Sequence, residues 1–281
     1  MSFIKLESVT KTYHGRAEQV LALENVSFTA EFGEFICLLG VSGCGKSTLL
    51  QILAGLEPPT GGTVAISDEP LTGPHREASV VFQEHGLFPW MSVRKNIGFN
   101  LKARGVAADE RAKVTDKLIE IVGLRGFEEK FPHELSGGMR QRVGIARALT
   151  TNPKILLMDE PFGALDAQTR VVMQEILTNI WQQFRISVLF ITHDIEESIF
   201  LSDRVYVMTA RPGRIKAEIK VPLPRPRTPD MHEAPEFIEL VHELKALIRE
   251  ESLAAMAPEL KTRGLAGFGM NVGPKGVGEL F

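Results

Sequence analysis

Alternating or continuous apolar stretches rich in Phe, Val and Ile run through residues 3–9, 21–30 and 34–40, with a shorter one at 63–66. They predict a strand-rich N-terminal layer. At Gly45 the period changes to that of a helix carrying Leu49, Leu50, Ile52 and Leu53, closed by Gly55. From about Phe88 to Leu149 the pattern is mostly helical, with charged amphipathic material at 108–122 and a second helix opening at Ser136-Gly137-Gly138. This stretch lies between strand-like segments, as an inserted helical subdomain would.

Short apolar runs then follow at 154–159, 187–192 and 204–209, alternating with helical stretches. In the helix near 168–184, Val172, Ile176 and Ile180 recur at i+4, and Leu177, Trp181 and Phe184 widen the same face. Strands alternating with helices predict an α/β core with a mainly parallel sheet. Pro222, Pro224, Pro226 and Pro229 read as a stiff linker. Beyond it Phe237, Leu240, Val241, Leu244, Leu247 and Ile248 form an apolar helical stripe that needs covering, and a Gly-rich, loose tail is expected from Gly264.

Composition narrows the function classes. In 281 residues, 32 Lys and Arg against 35 Asp and Glu leave a net charge of −3, which gives no electrostatic reason to expect nucleic acid as the main ligand. Arg140, Arg142 and Arg147 therefore read as a solvated or interface helix face. No apolar run approaches the roughly 20 residues of a membrane-spanning helix. The first residues lack the basic start and apolar core of a signal peptide, and two cysteines, Cys37 and Cys44, make no disulfide framework or metal set. A reducing cytoplasm is the compartment these features predict.

Gly40-Val41-Ser42-Gly43-Cys44-Gly45-Lys46-Ser47-Thr48 satisfies G-x-x-x-x-G-K-[ST] and sits where that motif belongs, after a strand and at the start of a helix. Backbone N–H groups along such a loop wrap a polyphosphate, aided by the positive end of the helix. Lys46 is expected on the β- and γ-phosphates and Ser47 on Mg²⁺. The run 155–160 is an apolar strand ending in two acids, at the edge where ligands bind in open α/β sheets. Asp159 suits the Mg²⁺ shell, and Glu160 suits a general base on an attacking water.

Between these lies Leu135-Ser136-Gly137-Gly138-Met139-Arg140-Gln141-Arg142. Its Ser136 and the N–H groups after Gly137 and Gly138 make a second anion site at a helix start. Phosphate loop, this signature and the acid-ended strand, in that order, resemble the ATP-binding subunits of ABC (ATP-binding cassette) transporters over residues 3 to about 220. The resemblance implies a P-loop NTPase (RecA-like) core, an N-terminal antiparallel β-subdomain, an inserted helical subdomain at about 84–150 and a short helical C-terminal extension. On that reading residues 1–225 form the ATPase domain, and 226–281 a Pro-rich linker, amphipathic helix and tail.

The resemblance also implies roles for single residues. Gly40, Ser42, Gly43, Cys44, Gly45, Lys46, Ser47 and Thr48 hold ATP from one chain, and Ser136, Gly137 and Gly138 hold it from a second copy or a paralogous subunit. Tyr13, following the first strand, stacks on adenine. Gln83 senses Mg²⁺ and the attacking water, so Mg²⁺ falls to Ser47, Gln83 and Asp159. His193 contacts the γ-phosphate and supports Glu160. Asp166 belongs to a loop crossing the dimer interface, where Ala164 replaces the family's frequent Ser. Cys44 reads as a small loop residue.

Residues 86–97, 161–166 and 207–215 are most similar to the bacterial nitrate, sulfonate and taurine importer group. That implies a membrane permease docking near Gln83 to Trp90, with Phe88 and Trp90 as anchors, a solute-binding protein that acts indirectly, and a place on the cytoplasmic face of the cell membrane. The alternative is a soluble ABC-type ATPase outside transport, although such proteins usually carry a coiled-coil insertion or two cassettes. A small-molecule kinase would not need the residues from Leu135 to Gly138, and a nonenzymatic subunit would not need Lys46, Asp159, Glu160 and His193 together.

Overall fold

The apolar runs resolve into two sheets, seen in a computed structural model that describes residues 3–15 and 19–262, the last six by backbone alone. β1 (Ile4–His14) and β2 (Gln19–Ala30) pair antiparallel, followed by β3 (Phe35–Leu39), α1 (Lys46–Leu53), β4 (Gly61–Ile66), β5 (Glu69–Pro70) and β6 (Ala78–Val81). The helical insertion holds α2 (Val93–Ile97), α3 (Phe99–Ala103), α4 (Ala108–Ile121) and α5 (Gly137–Leu149). Then come β7 (Ile155–Asp159), α6 (Ala167–Phe184), β8 (Ser187–Thr192), α7 (Ile195–Leu201), β9 (Arg204–Met208), β10 (Ile215–Lys220) and α8 (Pro235–Thr262).

The first sheet has the order β2-β1-β4-β5, and the second β10-β9-β3-β8-β7-β6. In the second, β3, β6, β7, β8 and β9 run parallel, and β10 closes one edge antiparallel. β3 and β8 are buried at every residue, which is why they read as unbroken apolar runs. Side chains alternate across the sheet. Phe35, Cys37 and Leu39 face a core shared with α5 and α6, whereas Ile36 and Leu38 face one shared with α1 and the first sheet.

Register positions the chemistry. Leu39 lies opposite Thr192, and Asp159 opposite Ile191, so β3, β7 and β8 end at one level. The chain therefore leaves the sheet side by side at Gly40, Glu160 and His193.

The structure differs from the sequence pattern in three places. β1 extends to His14, so Tyr13 lies within the strand, opposite Val20, rather than after it. β10 is an additional edge strand. The proline-rich segment is packed rather than spaced off the body: Val221 and Leu223 are buried in the main core, together with Phe237, Val241 and Leu244 of α8. Arg227, also buried, donates to the carbonyls of Ile199, Phe200 and Ser202 at 2.6–3.0 Å and reaches those of Val221 and Leu223 at 3.3 Å. The expected Gly-rich tail lies outside the described residues.

Candidate functional site

The phosphate loop leaves β3 at Gly40 and enters α1 through Gly45, whose φ of 104° lies in the left-handed region. Only glycine is at ease there, and a Cβ would come within 2.9 Å of the Ala22 carbonyl. Ser42, Gly43, Gly45, Lys46, Ser47 and Thr48 line a cavity of about 390 Å³, together with Tyr13, Gln83, Asp159 and Glu160. Gly40 begins the loop, and Cys44 turns inward from it into the core. Burial raises the Cys44 thiol above its ordinary range, which suits packing better than reactivity.

Lys46 is buried and donates to the carbonyls of Gly40 at 2.8 Å and Val41 at 3.0 Å, with Glu160 Oε1 3.7 Å away. The other Glu160 oxygen meets His193 Nδ1 at 3.0 Å. One carboxylate thus joins the loop lysine to the end of β8. Glu160 has a φ of 42°, unusual for a residue with a side chain, and its N–H donates to the Ile191 carbonyl at 3.0 Å. Backbone strain of this kind persists where surrounding bonds hold it, often at functional sites.

Ser47 Oγ donates to Asp159 Oδ1 at 3.1 Å. Burial pushes the Asp159 carboxyl up from its ordinary value; the Ser47 hydrogen bond opposes the shift and the Glu160 charge adds to it. A hard divalent cation would offset both costs. Two side-chain oxygens already in contact, with Gln83 on the same cavity wall, fit Mg²⁺, which takes few protein ligands and relies on substrate phosphates and water.

Ser136, Gly137, Gly138 and Asp166 do not line this cavity. Ser136 is exposed and caps α5, its Oγ accepting from the Met139 N–H at 3.2 Å. Gly138 permits close packing, since a Cβ there would lie 2.5 Å from Thr169 Cγ2. Asp166 caps α6, accepting from the Thr169 N–H at 2.9 Å and its hydroxyl at 2.7 Å. Within one chain, therefore, the candidate residues form two separate groups.

Two residues of this region were not anticipated. Asn96, fully buried, accepts from the Phe88 N–H at 2.8 Å and donates to the carbonyls of Phe88, Met91 and Ser92. It shapes the loop that leaves Trp90 70% exposed. Arg147 ties the same loop through the carbonyls of His85 and Gly86, which gives one of the three helix arginines a structural task. The second is Arg211, on the wall of the phosphate-loop cavity. No local pattern marks it, because it meets Gly43 from 168 residues downstream.

Comparison with known proteins decides the family. The ABC transporter family pattern matches residues 23–163. The nitrate import ATP-binding protein of Synechocystis sp. is 46% identical over 252 residues, covering 88% of this chain and 95% of its own. The chain belongs to the ABC transporter family. The aliphatic sulfonates import ATP-binding protein of Bacillus cereus is 46% identical over 80% of this chain and 88% of its own. A dimeric ATP-binding cassette solved with ADP and Pi superposes with a TM-score of 0.70 at 33% identity, covering 78% of this chain and 98% of that one. A cassette of a Clostridium perfringens transporter complex gives 0.71 at 25% identity, covering 94% and 98%. This cassette is an ATPase whose hydrolysis is coupled to transport. Among its described residues no helix is long and apolar enough to cross a membrane.

Proposed function

We propose that this cassette powers uptake of a small solute of the nitrate, sulfonate or taurine kind through a partner permease, working as a head-to-tail dimer on the cytoplasmic face of the cell membrane. The observation that carries the dimer is the separation of the two residue groups. Lys46, Ser47, Asp159 and Glu160 line one cavity, with His193 bonded to Glu160, while Ser136, exposed at the start of α5, does not line it. A second copy, or a paralogous subunit, brings its Ser136, Gly137 and Gly138 to the γ-phosphate.

In that closed site Glu160 orients the attacking water and takes its proton, and His193 holds Glu160 and the γ-phosphate in place. Lys46 moves from the Gly40 and Val41 carbonyls to the phosphates. Tyr13 stacks on adenine. Ser47, Asp159 and Gln83 would hold Mg²⁺, which would neutralise charge on the phosphates. Asp166 orders the start of α6 at the interface.

The identities shared with nitrate and sulfonate import proteins support the choice of solute class and of import. The permease docks near Gln83 to Trp90, where Trp90 is exposed and a groove of about 310 Å³ lined by Met91, Arg94, Lys95, Phe99, Lys102 and Arg111 opens next along the chain. An exposed aromatic beside a groove lined by basic side chains suits an amphipathic segment of a membrane partner. A solute-binding protein outside the membrane selects the cargo.

Light scattering coupled to size exclusion tests the dimer. Glu160→Gln with MgATP is expected to elute as a dimer, and Lys46→Ala as a monomer with lost nucleotide binding. A Glu160→Gln chain that binds ATP yet stays monomeric, alone and with co-purified permease, overturns the sandwich. Gentle detergent extraction followed by mass spectrometry tests the partner. Recovery of a multi-span permease is expected, and a soluble chain carrying ribosomes or nucleic acid would point to an ATPase outside transport.

A further inference from the structure

The loop between β9 and β10 lies against the nucleotide cavity, and nothing in the residue assignments above uses it. It is held from two sides. Toward β2, the Gly213 N–H donates to the Ala22 carbonyl at 2.9 Å and the Glu24 N–H to the Gly213 carbonyl at 2.9 Å. Gly213 has no room for a side chain, since a Cβ would lie 2.2 Å from the Cys44 carbonyl of the phosphate loop. Toward the C-terminus, the Ala210 N–H donates at 2.7 Å to Glu251 of α8, a carboxylate that is itself buried and paired with Lys216.

Between these anchors stands Arg211. Its guanidinium lies over Gly43, 3.8 Å from where a Cβ would sit, and its one polar contact among the described residues is a long 3.4 Å approach to the Gly43 carbonyl. The cavity wall carries two cations, Lys46 and Arg211, and two acids, Asp159 and Glu160. Lys46 already faces Glu160 and two carbonyls. Arg211 is therefore the cation whose donors are least committed before a polyphosphate arrives.

We propose that Arg211 binds the phosphates of the nucleotide as a second cationic arm, and that Glu251 of the C-terminal helix is the positioning residue that holds its loop in place. The proposal rests on reading the Lys46 cavity as the ATP site. A guanidinium suits the task because its planar fork of N–H groups matches phosphate oxygens two at a time. Its reach comes from a loop pinned at both ends. The C-terminal helix thereby contributes to ATP affinity without touching ATP.

Isothermal titration calorimetry with ATP tests both parts, using the full chain, Lys46→Ala as control and thermal melts to verify folding. Arg211→Ala is expected to weaken ATP about tenfold, the scale of one charge-assisted hydrogen bond at an exposed site, with Arg211→Lys recovering part of the loss. Glu251→Ala is expected to weaken ATP in the same direction. Glu251→Gln, which keeps an oxygen for the Ala210 N–H, is expected to restore affinity; a merely structural salt bridge to Lys216 would predict equal losses for both. Wild-type affinity in Arg211→Ala, while Lys46→Ala loses ATP, overturns the Arg211 assignment and leaves the ATP site intact. Wild-type affinity in Glu251→Ala, or no recovery in Glu251→Gln, overturns the positioning role. Absence of ATP binding in the wild-type chain overturns the ATP reading itself.

Discussion

Among single residues Glu197 ionises far from its ordinary range. It is buried at the start of α7, takes the Thr192 hydroxyl on one oxygen and lies 3.5 Å from the Gln174 amide on the other. Burial pushes its carboxyl up from 4.5 to about 7; the Asp194 charge adds to the shift, and the Thr192 and Gln174 bonds oppose it. A carboxyl whose pKa is higher folded than unfolded contributes stability that is complete below about pH 4.5 and is lost as pH rises through about 7. Glu197→Gln should therefore melt like the wild type near pH 4 and be the more stable near pH 8.5, by up to about 3 kcal/mol. Denaturant melts at the two pH values check it, and a constant difference across the range would refute it.

The same scale shows what a linear reading can and cannot reach. Lys46, Ser47, Asp159 and Glu160 were legible because each sits at a strand end or helix start whose local pattern implies the geometry. His193 came from the family resemblance and its order after the other motifs, since a histidine after an apolar strand is by itself unremarkable. Asn96, Arg211 and Glu251 were not, because their partners lie in carbonyls and N–H groups of other segments. Tyr13 was found but misplaced relative to its strand, since the threonines of β1 blur the alternation that marks a strand's end.

At the level of elements, the buried strands β3, β7 and β8 were read well, their unbroken apolar runs leaving few alternatives. β10 was missed. Its residues alternate only weakly between half-buried and exposed, as suits an edge with one neighbour. The proline-rich segment was misread for a different reason. Proline fixes an extended backbone, but whether that backbone stands free or lies on a core depends on Arg227, whose five carbonyl partners include two in the last turn of α7. A buried cation there also suits the negative end of that helix. Burial draws the Arg227 pKa down to about 10, with Arg225 adding to the shift, so it stays charged at neutral pH. Arg227→Lys, one amine against five scattered acceptors, should cost about 2–4 kcal/mol. Chemical denaturation measures the loss, and a change under about 0.5 kcal/mol would show the carbonyls satisfied without the fork.

For the molecule as a whole, the decisive feature is that the Ser136 helix start does not line the Lys46 cavity of its own chain. In the proposed dimer each nucleotide site draws one half from each copy, and this has a consequence for heredity. Consider Lys46→Ala and Ser136→Arg. Placed together on one copy paired with a sound one, each site inherits one fault and neither works. Placed on separate copies, both faults fall into the same site and the other is whole. Mixed dimers purified through two different tags should therefore bind two nucleotides poorly in the first arrangement and one nucleotide well in the second, although both carry the same pair of substitutions.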